Sequence, residues 1–278
     1  MLLFKLLRVK QYYKNFLVFL ALIFAGLFTD LNAILVCGLG FVALCLISSA
    51  NYILNDFINL DEDRKHSDKR LRPLASGNVS LKEGLIVAFI IAVISLILGM
   101  YLSKGFFYML LLMFFLTQIY SLYFRKEIFL DVLFISFNFV IRAVSGALIL
   151  NVRISPWLIL CTFFLSLFIA VGKRRVELVR GVKREVLKLY NEEILNTLMV
   201  VTSALLFVSY GMYSFLSVYP LLIYSIPFAF YVIFRYLYLV YSGSLIGMKT
   251  ELFYQDIRLV IGIIVWVLVS SGIIYISL

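Results

Sequence analysis

Long apolar segments, separated by short polar ones, run along the whole chain. A membrane-spanning helix needs about 20 mostly apolar residues, and on that measure the pattern predicts nine spans. Their ranges are 16–29, 33–54, 84–102, 105–124, 129–150, 155–172, 194–217, 219–241 and 258–277. We therefore expect an all-α integral membrane protein whose residues 1–278 form a single transmembrane domain.

The composition agrees with this pattern. The chain is 64% hydrophobic and 14% charged, and its mean hydropathy is +1.05. A soluble domain has roughly half apolar and about a quarter charged residues. The composition therefore excludes an ordinary soluble globular protein.

The charged residues follow the alternation of the predicted loops. Of the 25 cationic residues, all except Lys104, Arg142, Arg153 and Arg235 fall at the side that holds the N-terminus. Because cationic loops stay in the cytoplasm, we expect a multi-pass protein of the inner (plasma) membrane, with the N-terminus cytoplasmic and the C-terminus outside. The acidic residues, except Asp30, lie on the same side. Membrane topology does not require acids there, so they point to chemistry at the cytoplasmic face.

An acidic motif follows the second predicted span. Asn55 and Asp56 begin the pattern N-D-x-x-N-x-x-x-D, which continues with Asn59 and Asp63. If the helix of that span continues, Asp56, Asn59 and Asp63 stand at i, i+3 and i+7 on one face. Mg²⁺ binds through a few oxygen ligands of this kind and completes its shell with water and phosphates. The alternative is a solvated cytoplasmic loop of mixed charge.

Further polar residues stand at the cytoplasmic ends of other spans. Asp131 opens the fifth span, and Arg142 lies eleven residues further along it, on about the same helix face. A charged residue within a span usually faces a partner or a wet cavity, so Arg142 either pairs with an acid or reaches a phosphate. The basic residues at the other helix ends bind either substrate phosphates or anionic lipid headgroups. Together these residues predict a cytoplasm-facing cavity for a phosphorylated substrate.

Six segments in this order resemble the UbiA superfamily of membrane-embedded prenyltransferases, and most closely its decaprenyl-phosphate phosphoribosyltransferase branch. They are K-Q-Y-Y-K-N (10–15), N-D-x-x-N-x-x-x-D-R-x-H-x-x-K-R-x-R-P (55–73), Y-S (120–121) with Arg125 and Asp131, F-x-x-R-A-x-S-G (139–146), G-K-R-x-x-E (172–177) and E-x-x-x-x-D (251–256). The sequence departs from the family pattern at Asn59, where Asp is usual, and at Arg125, where Lys is expected.

The resemblance implies a nine-helix, UbiA-like enzyme in which 1–278 is one catalytic domain. It implies Mg²⁺-dependent transfer of 5-phosphoribosyl from phosphoribosyl diphosphate to a polyprenyl phosphate, which releases diphosphate and serves cell-envelope polysaccharide synthesis. Asp56, Asp63 and Asp131 would be catalytic, and Asp56, Asn59 and Asp63 would hold the metal. The substrate-binding residues would be Lys10, Lys14, Asn15, Asn55, Lys69, Arg70, Arg72, Tyr120, Arg125, Arg142, Lys173 and Arg174. His66, the only histidine, is interpreted as a loop-shaping or phosphate-contacting residue, and no nucleic acid is expected as a partner.

Two other functions fit parts of the pattern. An aromatic prenyltransferase would have the same fold and acidic site but would take the lipid as a diphosphate donor. The basic residues Lys69, Arg70, Lys173 and Arg174 favour two phosphorylated substrates instead. A transporter or lipid flippase would show internal repeats and polar residues near the membrane midplane, which the sequence does not.

Overall fold

The computed structural model describes residues 2–65, 68–153 and 155–277, and every regular element in these ranges is helical. The prediction for His66 therefore lies outside the described residues. Eight helices of the described chain are long and apolar enough to cross a membrane. We number them α1 (Leu31–Ile58), α2 (Leu81–Leu102), α3 (Lys104–Leu122), α4 (Leu130–Leu150), α5 (Pro156–Val179), α6 (Glu192–Phe215), α7 (Pro220–Tyr241, of which Pro220–Ser225 is a 3₁₀-helix) and α8 (Ile257–Ser277).

The first predicted span, 16–29, is not one long helix. A short helix over Leu2–Leu6 leads to a 3₁₀-helix over Val9–Phe19 and then to an α-helix over Leu20–Phe24. The segment ends at Gly26, which has a positive φ of 71°. Asp30 then caps α1, because its Oδ1 accepts hydrogen bonds from the backbone N–H groups of Asn32 and Ala33. The count of nine spans is therefore not confirmed, and it stays a prediction.

The chain divides into two compact units, and the first comprises residues 1–22, 28–125 and 141–152. Its core is formed by apolar side chains of α1, α3, α4 and the N-terminal segment: Val18, Ala43, Leu44, Ile47, Phe106, Leu110, Met113, Ile141 and Ile149. A Cβ atom on Gly146 would lie 2.0 Å from the backbone oxygen of Val18. Only glycine therefore allows α4 to pack this closely against the N-terminal segment.

Helix α1 carries the acidic motif to its end. At about 1.5 Å per residue its 28 residues span roughly 42 Å, which exceeds the roughly 30 Å hydrocarbon core. The helix ends at Ile58, and Asn59 is its C-cap with φ −102° and ψ 20°, outside the helical region. The Asn59 side chain also donates to the Asn55 backbone oxygen at 2.7 Å. A short helix, Leu60–Lys65, follows. The motif thus lies on two successive helices with a break at Asn59, not on the one continuous helix that we considered.

The second unit comprises residues 23–27, 126–140 and 153–278. Its core includes Val132, Phe168, Leu195, Met199 and Val240. Helix α5 extends to Val179, seven residues beyond the predicted end of the sixth span at 172. Positions 173–177 therefore lie on a helix and not in a loop.

The family motif E-x-x-x-x-D ends at the start of α8. The Oδ1 atom of Asp256 accepts a hydrogen bond from the Leu259 backbone N–H at 2.7 Å, which caps that helix. Arg235 of α7 also donates to both Asp256 oxygens, at 3.1 and 2.6 Å. Within the second unit, Asp256 therefore joins α7 to the beginning of α8.

Large apolar side chains cover much of the outer surface of the long helices. Phe89 and Ile97 of α2 and Leu268 of α8 are all strongly exposed. Such side chains are stable facing lipid, whereas continuous apolar surfaces of this extent are rare in soluble monomers. The eight long apolar helices and their exposed faces identify a multi-pass membrane protein.

Candidate functional site

Two buried carboxylates of the acidic motif converge on one guanidinium group in the first unit. Arg72 Nη1 lies 2.9 Å from Asp56 Oδ1 and 2.5 Å from Asp63 Oδ2. Asp56 is at the last turn of α1, and Asp63 is on the short helix that follows. Lys69 Nζ lies 3.8 Å from the other Asp63 oxygen. Although the helix breaks at Asn59, Asp56 and Asp63 therefore still face a common point.

The K-R-x-R-P segment places its cations by a simple geometric rule. Lys69–Leu71 is a 3₁₀-helix, and Arg72 is its C-cap. A 3₁₀-helix has three residues per turn, so side chains at i and i+3 lie on the same face. Lys69 and Arg72 therefore both reach Asp63, whereas Arg70 is exposed.

Arg8 also belongs to this group, although it is not among the residues predicted for the site. Its Nη2 contacts Asp56 Oδ1, and its guanidinium carbon lies 4.9 Å from the centre of the Tyr52 ring. Arg8 has a left-handed backbone with a φ of 51°, just before the 3₁₀-helix Val9–Phe19. It stands two residues before the K-Q-Y-Y-K-N motif, which is the only sequence signal that points to it.

The two departures from the family pattern contact each other. Arg125 Nη1 donates to the Asn59 amide oxygen at 2.6 Å, and Arg125 Nη2 donates to Glu62 Oε2 at 2.8 Å. Asn59, a predicted metal ligand, thus directs its oxygen to Arg125. Asn55 donates to the hydroxyl of Ser121 at 3.2 Å, which ties the motif to the end of α3 near the half-buried Tyr120.

A second polar group in the first unit surrounds Asn15, which is buried. Its amide oxygen accepts a hydrogen bond from Arg142 Nε at 2.8 Å, and its nitrogen donates to Cys45 Sγ at 3.2 Å. Arg142, on α4, is buried as well. Two of the predicted substrate-binding residues are thus in direct contact. Of the two lysines in the same motif, Lys14 lies 5.8 Å from the Tyr13 ring centre and Lys10 is exposed.

Asp131 and Arg174 form a buried ion pair in the second unit. Arg174 Nε lies 2.5 Å from Asp131 Oδ2, and Arg174 Nη1 lies 2.7 Å from Glu177 Oε2. The Tyr190 hydroxyl donates to Asp131 Oδ1 at 2.8 Å. Burial raises the pKa of Tyr190, and the neighbouring Asp131 carboxylate raises it further. Tyr190 is therefore a neutral donor at neutral pH.

Glu177 is a further residue that the predicted site did not include. Besides Arg174, it has Lys173 Nζ at 3.9 Å and Arg184 Nη1 at 4.0 Å. It appears in the G-K-R-x-x-E motif, so the sequence held a signal for it. Because Asp131 and Glu177 neutralise Arg174, the predicted catalytic role of Asp131 and the substrate-binding role of Arg174 stay predictions.

The donor set at Asp56 and Asp63 fits a magnesium ion that is bound together with phosphates. The described residues contain no group of three or more His, Cys, Asp or Glu side chains that would form a protein-only metal site. Mg²⁺ usually binds through only one or two carboxylates plus substrate phosphates and water. Two buried carboxylates directed at a common point supply that minimum.

The chain is similar to several known proteins. The model of the UbiA prenyltransferase family matches residues 15–244. The decaprenyl-phosphate phosphoribosyltransferase of Mycolicibacterium smegmatis is 31% identical over 224 residues, which cover 77% of this chain and 70% of that protein. A protein of Sinorhizobium fredii named "Uncharacterized protein y4nM" is 33% identical over 175 residues, and this match covers 63% of this chain and 34% of that protein.

The fold has a solved counterpart. The structure of a UbiA homologue from Archaeoglobus fulgidus bound to DMAPP and Mg²⁺ superimposes with a TM-score of 0.74 and covers 99% of both chains at 17% identity. At that identity the likeness concerns the fold. The chain belongs to the UbiA prenyltransferase family, and it is a multi-pass membrane transferase of that superfamily.

Proposed function

We propose that the protein transfers a 5-phosphoribosyl group from phosphoribosyl diphosphate to a polyprenyl phosphate and releases diphosphate. The observation that carries the proposal is the convergence of Asp56 and Asp63, surrounded by Arg8, Lys69 and Arg72. The name of the Mycolicibacterium smegmatis relative, decaprenyl-phosphate phosphoribosyltransferase, supports transfer of a phosphoribosyl group to a polyprenyl phosphate. The product would serve as a precursor of cell-envelope polysaccharide.

The transfer requires that the diphosphate leaves C1 of the ribose. Mg²⁺ at Asp56 and Asp63 would stabilise the negative charge that develops on this leaving group. Arg8, Arg72 and Lys69 would bind its outer oxygens through charge-assisted hydrogen bonds. The carboxylates fix the position of the leaving group, and the cations compensate its charge.

The acceptor needs no strong base. A polyprenyl phosphate is already an anion at neutral pH, so one of its oxygens can attack C1 of the ribose directly. The new C1–O bond forms as the bond from C1 to the diphosphate breaks, and the diphosphate leaves with the electron pair. Arg142, held by Asn15, is our candidate for binding the acceptor phosphate, because a planar guanidinium forms paired bonds to phosphate oxygens.

The reaction would take place at the cytoplasmic side of the inner membrane. Arg8, Lys69 and Arg72 belong to the charge-rich side of the chain, which the positive-inside rule assigns to the cytoplasm. Phosphoribosyl diphosphate is water-soluble and would enter from that side. The lipid phosphate would reach the site from the bilayer.

A transfer assay on the purified protein tests this function. The protein would receive ribose-labelled phosphoribosyl diphosphate, a polyprenyl phosphate and Mg²⁺, and a parallel reaction would contain a polyprenyl diphosphate and 4-hydroxybenzoate. We expect label in the lipid fraction of the first reaction, and we expect EDTA or Asp56→Asn to abolish it. A prenylated aromatic product instead would show that the lipid is the donor.

A further inference from the structure

In the structure, Arg72 lies where a cation shared by Asp56 and Asp63 would bind. One of its nitrogen atoms, Nη1, contacts an oxygen of each carboxylate, at 2.9 and 2.5 Å. Arg8 occupies the same Asp56 oxygen from another side. A metal ion held by both carboxylates would need the space that the guanidinium groups of Arg8 and Arg72 fill. The metal ion and these guanidinium groups therefore cannot be there at the same time.

The local charge disfavours a metal ion that arrives alone. Asp56 and Asp63 already have three cationic neighbours, namely Arg8, Lys69 and Arg72. A bare divalent cation would add repulsion and would leave the displaced guanidinium groups without their carboxylate partners. A diphosphate changes this balance, because it brings several negative charges and oxygen atoms that guanidinium groups bind in pairs.

The arginines lie further out than the carboxylates. The side chains of Arg8 and Arg72 are 22% and 27% exposed, whereas those of Asp56 and Asp63 are 6% and 2% exposed. Both arginines also stand at junctions of the backbone: Arg8 precedes a 3₁₀-helix with a left-handed conformation, and Arg72 caps another. Their side chains can therefore move outward while the buried carboxylates stay in place.

We propose that Arg8 and Arg72 occupy the metal position in the substrate-free protein and move from the carboxylates to the diphosphate when the substrate binds. This inference rests on the metal–diphosphate site of the proposed function. The exchange makes binding of the metal ion and binding of the diphosphate depend on each other, because a metal ion that binds to the carboxylates releases guanidinium groups that can then bind phosphate. By linkage, diphosphate then raises the metal affinity by the same factor by which the metal raises the diphosphate affinity.

Binding of Mn²⁺, followed by its paramagnetic resonance signal, measures this coupling without turnover. The full chain in detergent would be titrated with Mn²⁺ with and without inorganic diphosphate, and the Mn²⁺–diphosphate complex formed in protein-free buffer would be subtracted. For the unmodified protein we expect diphosphate to tighten Mn²⁺ binding by about tenfold or more, within the usual range of such couplings. In Arg72→Gln and Arg8→Gln we expect tighter Mn²⁺ binding without diphosphate and a clearly smaller effect of diphosphate.

Arg64→Gln is the matched control. Arg64 is an exposed cation that follows Asp63 on the short helix Leu60–Lys65. The variant should reproduce the coupling of the unmodified protein. If both Arg72→Gln and Arg8→Gln keep that coupling, the exchange of arginines is refuted. If Arg72→Gln does not fold, Arg8→Gln still decides the test. In Arg8→Gln, Arg72 remains and neutralises Asp56.

Asp56→Asn separates this inference from the proposed function. If Mn²⁺ binds equally well to Asp56→Asn, the metal does not bind at Asp56, and both the arginine exchange and the metal role in the proposed function fail. If Asp56→Asn loses Mn²⁺ while the arginine variants keep normal coupling, only the exchange fails. Neither result depends on which group the enzyme transfers.

Discussion

Asn59 and Arg125 show how two substitutions at separate sequence positions become one structural feature. Each departs from the family pattern, and in the structure the Arg125 guanidinium holds the Asn59 amide oxygen at 2.6 Å. In the sequence, the loss of the acidic group at Asn59 and the change of cation at Arg125 look independent. Because the two residues are 66 positions apart, only the fold reveals that they interact.

This contact predicts the effect of restoring the acidic residue. In Asn59→Asp the new carboxylate should pair with Arg125 and add little to metal binding. In the double variant Asn59→Asp/Arg125→Gln the carboxylate is released, and we expect Mn²⁺ to bind about tenfold more tightly, which corresponds to about 1.4 kcal/mol. Arg125→Gln alone is the control. An equal gain in Asn59→Asp alone would contradict this account of the pair.

The buried Asp131–Arg174 pair predicts a loss of stability in Asp131→Asn. Removing one partner of a buried ion pair costs about 3–5 kcal/mol, and the remaining contact with Glu177 should reduce that cost. We therefore expect a lower unfolding temperature in detergent and partial recovery in Asp131→Asn/Arg174→Gln.

Glu185→Gln is the control for that experiment, because its ion pair with Lys126 lies on the surface, with side chains 64% and 51% exposed. Such a pair contributes about 0–1 kcal/mol. If Asp131→Asn unfolds like the unmodified protein but is inactive, Asp131 acts in catalysis and not mainly in folding.

At the scale of helices, the apolar pattern predicted most of the structure. The ends of the eight long helices lie within four residues of the predicted ones, with one exception. That exception is α5, which continues to Val179 although its last turns carry Lys173, Arg174 and Glu177. Asp131, 43 residues away in the sequence, neutralises Arg174, and Glu177 pairs with Lys173 and Arg174 within the helix. Hydropathy along the chain does not contain this information.

The start of α8 gives a prediction at the same scale. Asp256 caps this helix and pairs with Arg235, so Asp256→Ala should lose both interactions and Asp256→Asn only the ion pair. An N-cap contributes about 0.5–2 kcal/mol, so we expect the alanine variant to be clearly less stable in thermal unfolding. Asp30→Asn, at the cap of α1, is the control, since the described chain shows no ion pair for Asp30. Equal stability of the two Asp256 variants would argue against a capping role.

Asp256 also makes the stability of the fold depend on pH. The hydrogen bonds from Arg235 lower the pKa of Asp256 below its usual value. A group whose pKa is lower in the folded state stabilises the fold above its unfolded pKa, which is about 3.9, and this contribution is lost as the pH falls through the folded pKa. The difference in stability between the unmodified protein and Asp256→Asn should therefore be present at pH 7 and disappear in acid. A difference that does not change with pH would show that ionisation of Asp256 is not its cause.

For the molecule as a whole, the number of spans decides where the termini lie. Nine spans place the N- and C-termini on opposite sides of the membrane, whereas eight place them on the same side. The two counts differ at the N-terminal segment, which contains a 3₁₀-helix and only short α-helices. The distribution of cations predicts a cytoplasmic N-terminus and an external C-terminus.

Single cysteines introduced near each terminus would test this topology. Cys37, Cys45 and Cys161 would first be replaced, because the natural cysteines would otherwise contribute background labelling. In intact cells we expect a membrane-impermeant thiol reagent to label the C-terminal position and not the N-terminal one. A cysteine at Arg64 should behave like the N-terminal one. Labelling of both termini, or of neither, would contradict nine spans.

In the proposed reaction, the lipid phosphate accepts the sugar while diphosphate leaves. A single reaction with phosphoribosyl diphosphate, labelled with ¹⁴C in the ribose and with ³²P in the diphosphate, follows both events at once. We predict that ¹⁴C moves into the polyprenyl phosphate fraction and that an equal amount of ³²P appears as free diphosphate. Both signals should be lost in Asp56→Asn and kept in Arg64→Gln. Transfer of ³²P to the lipid, or no transfer of ¹⁴C from an active preparation, would contradict the proposed reaction.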